Sequence, residues 1–304
     1  MLTVLLILLG LSAIAYVVIL VRTALAQGVL RPSGEAVVVG AVVNFFDTLG
    51  IGSFAPTLAW LKFRTKMPAR LIPCTMIVAC TLPTMFQAGI FLPLLGVHVD
   101  PVLLVGYAIA LLLGGLAGAR LVIRLRIWIV QAVVAAALLI AAGLYALSNL
   151  HMMPAGGVAA SLPLSLTIVA IAASFGMGVL LNFGVGHYAP SLVMLSLMGM
   201  DPRLAFPIMA TGGALAAAVI SWRHLRAGVA DLGIVLGFVL GGAPAVLIAA
   251  FVVKQMPVEL LRWLVIVVVV YAAATMLGDA VKSLRRGADE AEDIALARAE
   301  GLTD

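Results

Sequence analysis

The chain has 304 residues, of which 64% are hydrophobic and only 10% charged, with a formal net charge of +5. A mean hydropathy of +1.23 excludes an ordinary soluble domain and points to a polytopic helical membrane protein. The same basic balance would suggest nucleic acid in a soluble protein; here the cations read as loop residues facing anionic lipid.

The first apolar run, 2–21, is long enough to cross the hydrocarbon layer as a helix. Ala24-Leu25-Ala26 looks like a signal-peptidase site, yet no cation precedes the run and Arg22 stands just before that site. A retained helix is therefore expected. Segment 36–61 follows and is interrupted at its middle by glycines. Three spans come next, 71–94, 101–119 and 127–147. A second interrupted segment, 161–196, precedes three more spans, 205–222, 229–251 and 259–278. The end of the chain changes composition at Asp279 and reads as a solvated, charged helical tail. Cys74 and Cys80 are six residues apart in one span and so face different ways; they read as packing residues, and no metal-type Cys/His spacing exists.

Alternating the loops sorts the cations. Fifteen of the 18 lysines and arginines fall on one side, and only Arg203, Lys254 and Arg262 on the other. By the positive-inside rule the first side is cytoplasmic. Trp60, Trp128, Trp222 and Trp263 each lie within two residues of a cation, as interfacial anchors do. This sorting requires 36–61 and 161–196 each to enter and leave on one side, as a helix–break–helix hairpin. An odd number of crossings between them inverts the second copy. The expected fold is all-α: an extra N-terminal helix (1–33), two inverted-topology repeats (34–148 and 149–278), each a broken-helix hairpin plus three transmembrane helices, and a cytoplasmic charged tail (279–304). A rival layout passes 36–61 once across the membrane, which moves Arg22 and Arg31 outside and destroys the symmetry.

Both breaks carry the string G-x-G-x-x-A-P-[ST]-L, as Gly50-Ile51-Gly52-Ser53-Phe54-Ala55-Pro56-Thr57-Leu58 and Gly184-Val185-Gly186-His187-Tyr188-Ala189-Pro190-Ser191-Leu192. Pro68 with Pro202 and Pro73 with Pro207 keep the same register. The glycines permit a sharp turn, and Pro56 and Pro190 fall in a first helical turn, where a missing N–H removes no intrahelical bond. Ser53 is expected to cap the new helix through its hydroxyl, and His187 holds the matching place. A helix N-terminus offers unpaired N–H donors and partial positive charge, which suits an anion. Two of them meeting near the midplane make a small-anion site that needs no buried lysine or arginine. The candidate binding residues are Asn44, Thr48, Gly50, Gly52, Ser53 and Thr57 in the first copy. In the second they are Asn182, Gly184, Gly186, His187, Tyr188 and Ser191.

At these residues the chain resembles the sulfite exporter TauE/SafE family, the TSUP transporters, over roughly 34–277. The likeness rests on Asp47-Thr48-Leu49-Gly50-Ile51-Gly52-Ser53-Phe54-Ala55-Pro56 and on Phe183-Gly184-Val185-Gly186-His187-Tyr188-Ala189-Pro190. The helix end Gly114-Gly115-Leu116-Ala117-Gly118-Ala119-Arg120 also matches that family's pattern. The resemblance implies movement of sulfite, sulfonates or sulfoacetate, often coupled to protons. Many members have three consecutive glycines where this chain has Gly52-Ser53-Phe54 and Gly186-His187-Tyr188, which narrows the site.

Asp47 and His187 are the ionisable groups beside the breaks and the candidates for proton coupling. A structural role stands beside each: Asp47 accepting from freed N–H groups, His187 bonding a carbonyl. A fixed anion at Asp47 would repel an anionic substrate, which favours the structural role there. Thr75, Thr81, Gln87 and Thr211 read as interhelical hydrogen-bonding groups. No zinc, P-loop or nucleophile-elbow motif is present, so no enzyme and no cofactor or metal is expected. The reading is an inner-membrane secondary transporter of a small organic or sulfur-containing anion, its N-terminus outside and its C-terminus cytoplasmic. Its partners would be the anion, protons and lipid, without nucleic acid, and with a homodimer left open. An anion channel, or a carrier of a non-sulfur carboxylate, is the alternative.

Overall fold

The computed structural model describes residues 2–29, 31–49, 53–65, 67, 71–95, 98–121, 159–181 and 186–255, with isolated positions between 132 and 150 and between 257 and 284. Among the described residues the protein is all-α, and six helices are long and apolar enough to cross a membrane. Described positions within 127–147 and 259–278 are all helical. The charged tail from 285 onward lies outside the described residues.

Helix α1 (Leu2–Ala26) turns Val4, Ile7, Leu11, Ile14 and Val18 outward at helical spacing, as a lipid-facing stripe. From its other face Tyr16 donates a hydrogen bond to the Val78 carbonyl at 2.6 Å. Helix α2 (Gly34–Thr48) starts where the Ser33 hydroxyl accepts from the Ala36 amide. Helix α3 (Phe54–Arg64) begins just after the first glycine motif. At about 1.5 Å per residue, neither α2 nor α3 reaches across the roughly 30 Å hydrocarbon layer.

The two ends of this pair lie together. Arg64 Nε stands 3.1 Å from Glu35 Oε1, and Trp60 Nε1 donates to the same oxygen at 3.0 Å. A single crossing would put Glu35 and Arg64 on opposite membrane faces, so the chain turns back on itself between them. Being exposed, the ion pair adds little stability; its value is as a marker of geometry.

Helices α4 (Ile72–Leu95) and α5 (Pro101–Leu121) follow, the second capped by Asp100 Oδ1 accepting from the Val102 amide at 2.8 Å. The next broken pair is α6 (Leu164–Leu181) and α7 (Tyr188–Leu197). Its ends are joined through backbone: the Ala159 amide donates to Gly199 O at 3.1 Å and the Asp201 amide to Ala159 O at 3.0 Å. Gly199 supplies the φ of +98° that lets the chain leave α7 here, a conformation most side chains avoid. Helix α8 (Pro202–Ala227) is capped by Asp201 and closed by Gly228 at φ 65°, and α9 (Leu232–Gln255) is capped by Asp231. Pro73 opens α4, but its register mate Pro207 lies inside α8, because α8 begins at Pro202.

Helix α4 packs on α8 at the centre, and α1 lies across both. Helix α2 packs on α9, and α5 on α6. These two outer pairs approach through glycine. A Cβ on Gly241 of α9 would strike the Val37 carbonyl of α2, and one on Gly178 of α6 the Leu111 carbonyl of α5. Small residues let backbones close up where no hydrophobic gradient drives helices together.

The reversal between α2 and α3 is open to direct test. Single cysteines at Glu35 and Arg64 should both react with a membrane-impermeant thiol reagent from the same face of sealed vesicles. Labelling from opposite faces would contradict the fold.

Candidate functional site

The described residues beside the two glycine motifs meet at one cavity. Its lining includes Asp47 and Ser53 from the first break, Gly186, His187 and Tyr188 from the second, and Thr84 from α4. The backbone reason is local: α3 and α7 each begin two residues beyond Gly52 and Gly186, so the start of each helix is delivered to the same place. First-turn amides have no acceptor within their own helix, and both first turns border this space. No lysine or arginine lies among the described lining residues.

The expected caps are corrected. Ser53 and His187 do stand at the cap positions, but both have α-region backbone and neither side chain caps its helix. Each has a stronger partner elsewhere. Ser53 gives side-chain and backbone hydrogen bonds to the Asp47 carboxylate, and its side chain also reaches Cys80. His187 Nε2 lies 3.2 Å from the Met209 carbonyl of α8, and since a carbonyl only accepts, Nε2 carries the proton. The imidazole edge meets the Tyr188 ring at 4.8 Å between centroids. A Cβ on Gly213 would come within 2.9 Å of His187 Cε1, so glycine at that place of α8 makes room for the ring.

Asp47 is 2% exposed, and the partner that links it to the rest of the fold is Gln87 of α4. Gln87 Nε2 donates to Asp47 Oδ2 at 2.8 Å and to Thr48 Oγ1 at 3.1 Å. Gln87 Oε1 accepts from the Tyr188 hydroxyl at 2.5 Å. One amide thus connects both breaks. Its signal in the sequence was an uncharged but strongly polar side chain in the middle of an apolar span, where a partner is required.

Other candidates lie apart from the cavity. Thr48 turns its own hydroxyl to the Asn44 carbonyl at 2.7 Å, and Asn44 Nδ2 bonds the Gly40 carbonyl at 2.7 Å, beside α9. Thr57 is fully buried, and its hydroxyl has no partner among the described residues. Ser191 pairs with the Tyr107 hydroxyl of α5 at 2.5 Å and also donates to the His187 carbonyl. It therefore ties α7 to α5 rather than facing the cavity. Gly50, Gly52, Asn182 and Gly184 lie outside the described residues. Sequence reasoning passed over Thr84, Gly213 and Tyr107, and treated Cys80 as packing; Cys80 also borders the cavity. Of the interhelical candidates, Thr81 meets Ser221 of α8 at 2.6 Å and Thr75 accepts from the Asp231 amide at 3.1 Å. Thr211 has no partner among the described residues.

Comparison with known proteins finds no matching family, no matching curated protein and no matching solved structure. The likeness to the TauE/SafE transporters therefore rests on the motifs alone.

The geometry separates two hydroxyls that the motif alone treats alike. Ser191→Ala should lower stability by about 1 kcal/mol, the usual worth of a buried hydrogen bond, and leave ligand binding at the cavity unchanged. Ser53→Ala should instead weaken binding. Thermal unfolding with and without ligand distinguishes them.

Proposed function

We propose that this protein is a secondary transporter for a small organic or sulfur-containing anion, bound where the two glycine turns meet. The observation that carries the proposal is the shared cavity: two helix N-termini around one small space that Ser53, Thr84 and His187 also line. Partial positive charge from two helix starts favours an anion without a buried cation. Anions with several acceptor oxygens, such as sulfite or a sulfonate, match the unpaired first-turn amides of those two helix starts. The motif likeness to the TauE/SafE transporters points to the same substrate class.

Packing supports the inverted-repeat reading. Exchange α2 with α6, α3 with α7, α4 with α8 and α5 with α9. The pair α2–α9 becomes α6–α5, α3–α4 becomes α7–α8, α4–α9 becomes α8–α5, and α4–α8 maps onto itself. All of these pairs are in contact. Helix α1 touches both central helices and so stands across the exchange. Rocking of the two halves about the breaks would open the cavity to each side in turn. The charge sorting orients the carrier in an inner membrane with its N-terminus outside and the C-terminal tail in the cytoplasm.

A ligand that binds only the folded state raises the apparent melting temperature, by about 2.7 kcal/mol of stabilisation at a hundredfold excess over its dissociation constant. Purified protein should respond to at least one of sulfite, sulfoacetate, thiosulfate or taurine, and the response should fall on Ser53→Ala. A response only to cations or neutral solutes would reject the anion site.

A further inference from the structure

The Asp47 carboxylate sits in a setting that its use as a mere helix cap does not explain. It borders the cavity, is 2% exposed, and every donor given to it is neutral. The groups that face it are Ser53 from the first break, Gln87 and Cys80 from α4, and Tyr188 from α7. Of these only the Cys80 thiol and the Tyr188 phenol are titratable, and neither is cationic. The remaining titratable group at the cavity, His187, gives its Nε2 proton to the Met209 carbonyl. An ionised carboxylate buried without a countercharge is costly, and it would repel any anion entering beside it.

Gln87 gives that charge a route to the other half. Its amide is read in one direction only: Nε2 donates to Asp47 and Thr48, so Oε1 is the atom that accepts from Tyr188. The orientation is fixed by the carboxylate, which only accepts while ionised.

We propose that Asp47 carries the coupled proton and that Gln87 relays its charge state to the second hairpin through Tyr188. This rests on the anion-transport reading above. A proton passes from cavity water to a carboxylate oxygen, and the only bond formed is that O–H. The cavity loses its negative charge, and the anion enters as the proton binds. Protonated Asp47 is a donor, and Gln87 Oε1 accepts from it once the amide turns over. Nε2 then faces the Tyr188 hydroxyl and donates to it, so the bond between the two breaks reverses and the Tyr188 proton needs another acceptor. The reversed bond marks the state with proton and anion both aboard. Release of the proton to water on the far side restores the carboxylate, expels the anion and returns the bond to its first direction. Repulsion by Asp47, which argues against an anion site when the charge is fixed, becomes the source of coupling once a proton can cancel it.

The test uses the full chain reconstituted in liposomes. Infrared difference spectra are recorded as the pH is lowered, with no anion present. Wild type should gain a carboxylic acid C=O band that is missing in Asp47→Asn. Uptake of sulfite is then followed with a pH-sensitive dye. Wild type should move protons with sulfite, whereas Asp47→Asn should exchange sulfite for sulfite while moving protons at least tenfold more slowly. Tyr188→Phe should keep the band and let protons cross without sulfite. The band surviving in Asp47→Asn, or that variant moving protons with sulfite at the wild-type rate, would overturn the proposal. If Asp47→Asn does not fold, Gln87→Leu decides: a band unchanged in frequency, with coupling intact, also overturns it. A wild-type band without transport of any anion would instead reject the transport reading and keep Asp47 as a proton site.

Discussion

Backbone released from a helix inside a bilayer has no water to turn to, so its N–H and C=O groups must find partners within the protein. Two helices of this chain are broken in that way, and the rest of the fold is arranged to cover the breaks. Each broken pair turns back, its mouth marked by the Glu35–Arg64 ion pair with Trp60 in the first and tied by the Ala159 backbone in the second. Central helices α4 and α8 stand between them and supply partners: Gln87 for the first break, the Met209 carbonyl for the second. The glycine contacts of α2 with α9 and of α5 with α6 let the outer helices close against this centre.

The polar groups that cover the breaks are also what give the cavity its chemistry. Ser53 spends its hydroxyl on Asp47 and does not cap α3 with it, so the start of that helix faces the cavity. His187 is likewise drawn to α8 instead of capping α7. An anion would complete the two helix starts that the protein itself leaves uncapped by side chains. Neutral donors hold such a ligand without the strong desolvation penalty of a buried cation, which suits a carrier that must also let go.

Much of this was legible in the sequence, for a physical reason. Long apolar runs follow from the thickness of hydrocarbon. The paired motif pointed to the helix starts at Phe54 and Tyr188, and Asp47 and His187 were visible because ionisable groups are rare at such depth. What could not be read was direction. Ser53 and Thr57 stand four residues apart, as do His187 and Ser191, yet only Ser53 and His187 border the cavity. That difference is set by what packs opposite, as when Tyr107 of α5 takes Ser191. The role of Gln87 depends on α4 and α7 meeting across about a hundred residues of chain, which no local pattern encodes. Glu35 and Arg64 stand 29 residues apart, and only the fold brings them together.

The central claim is that the two breaks face each other. In the structure a Cβ at Gly186 would lie 3.7 Å from Phe54 Cβ, within the roughly 3.5–4.5 Å that a disulfide spans. The measurement is oxidative cross-linking in native membranes of Phe54→Cys with Gly186→Cys, after Cys74 and Cys80 are replaced by alanine. Loss of both thiols to an intramolecular disulfide is the predicted result. Two thiols that stay free in folded protein under oxidation, each still reactive when tested alone, would contradict the account.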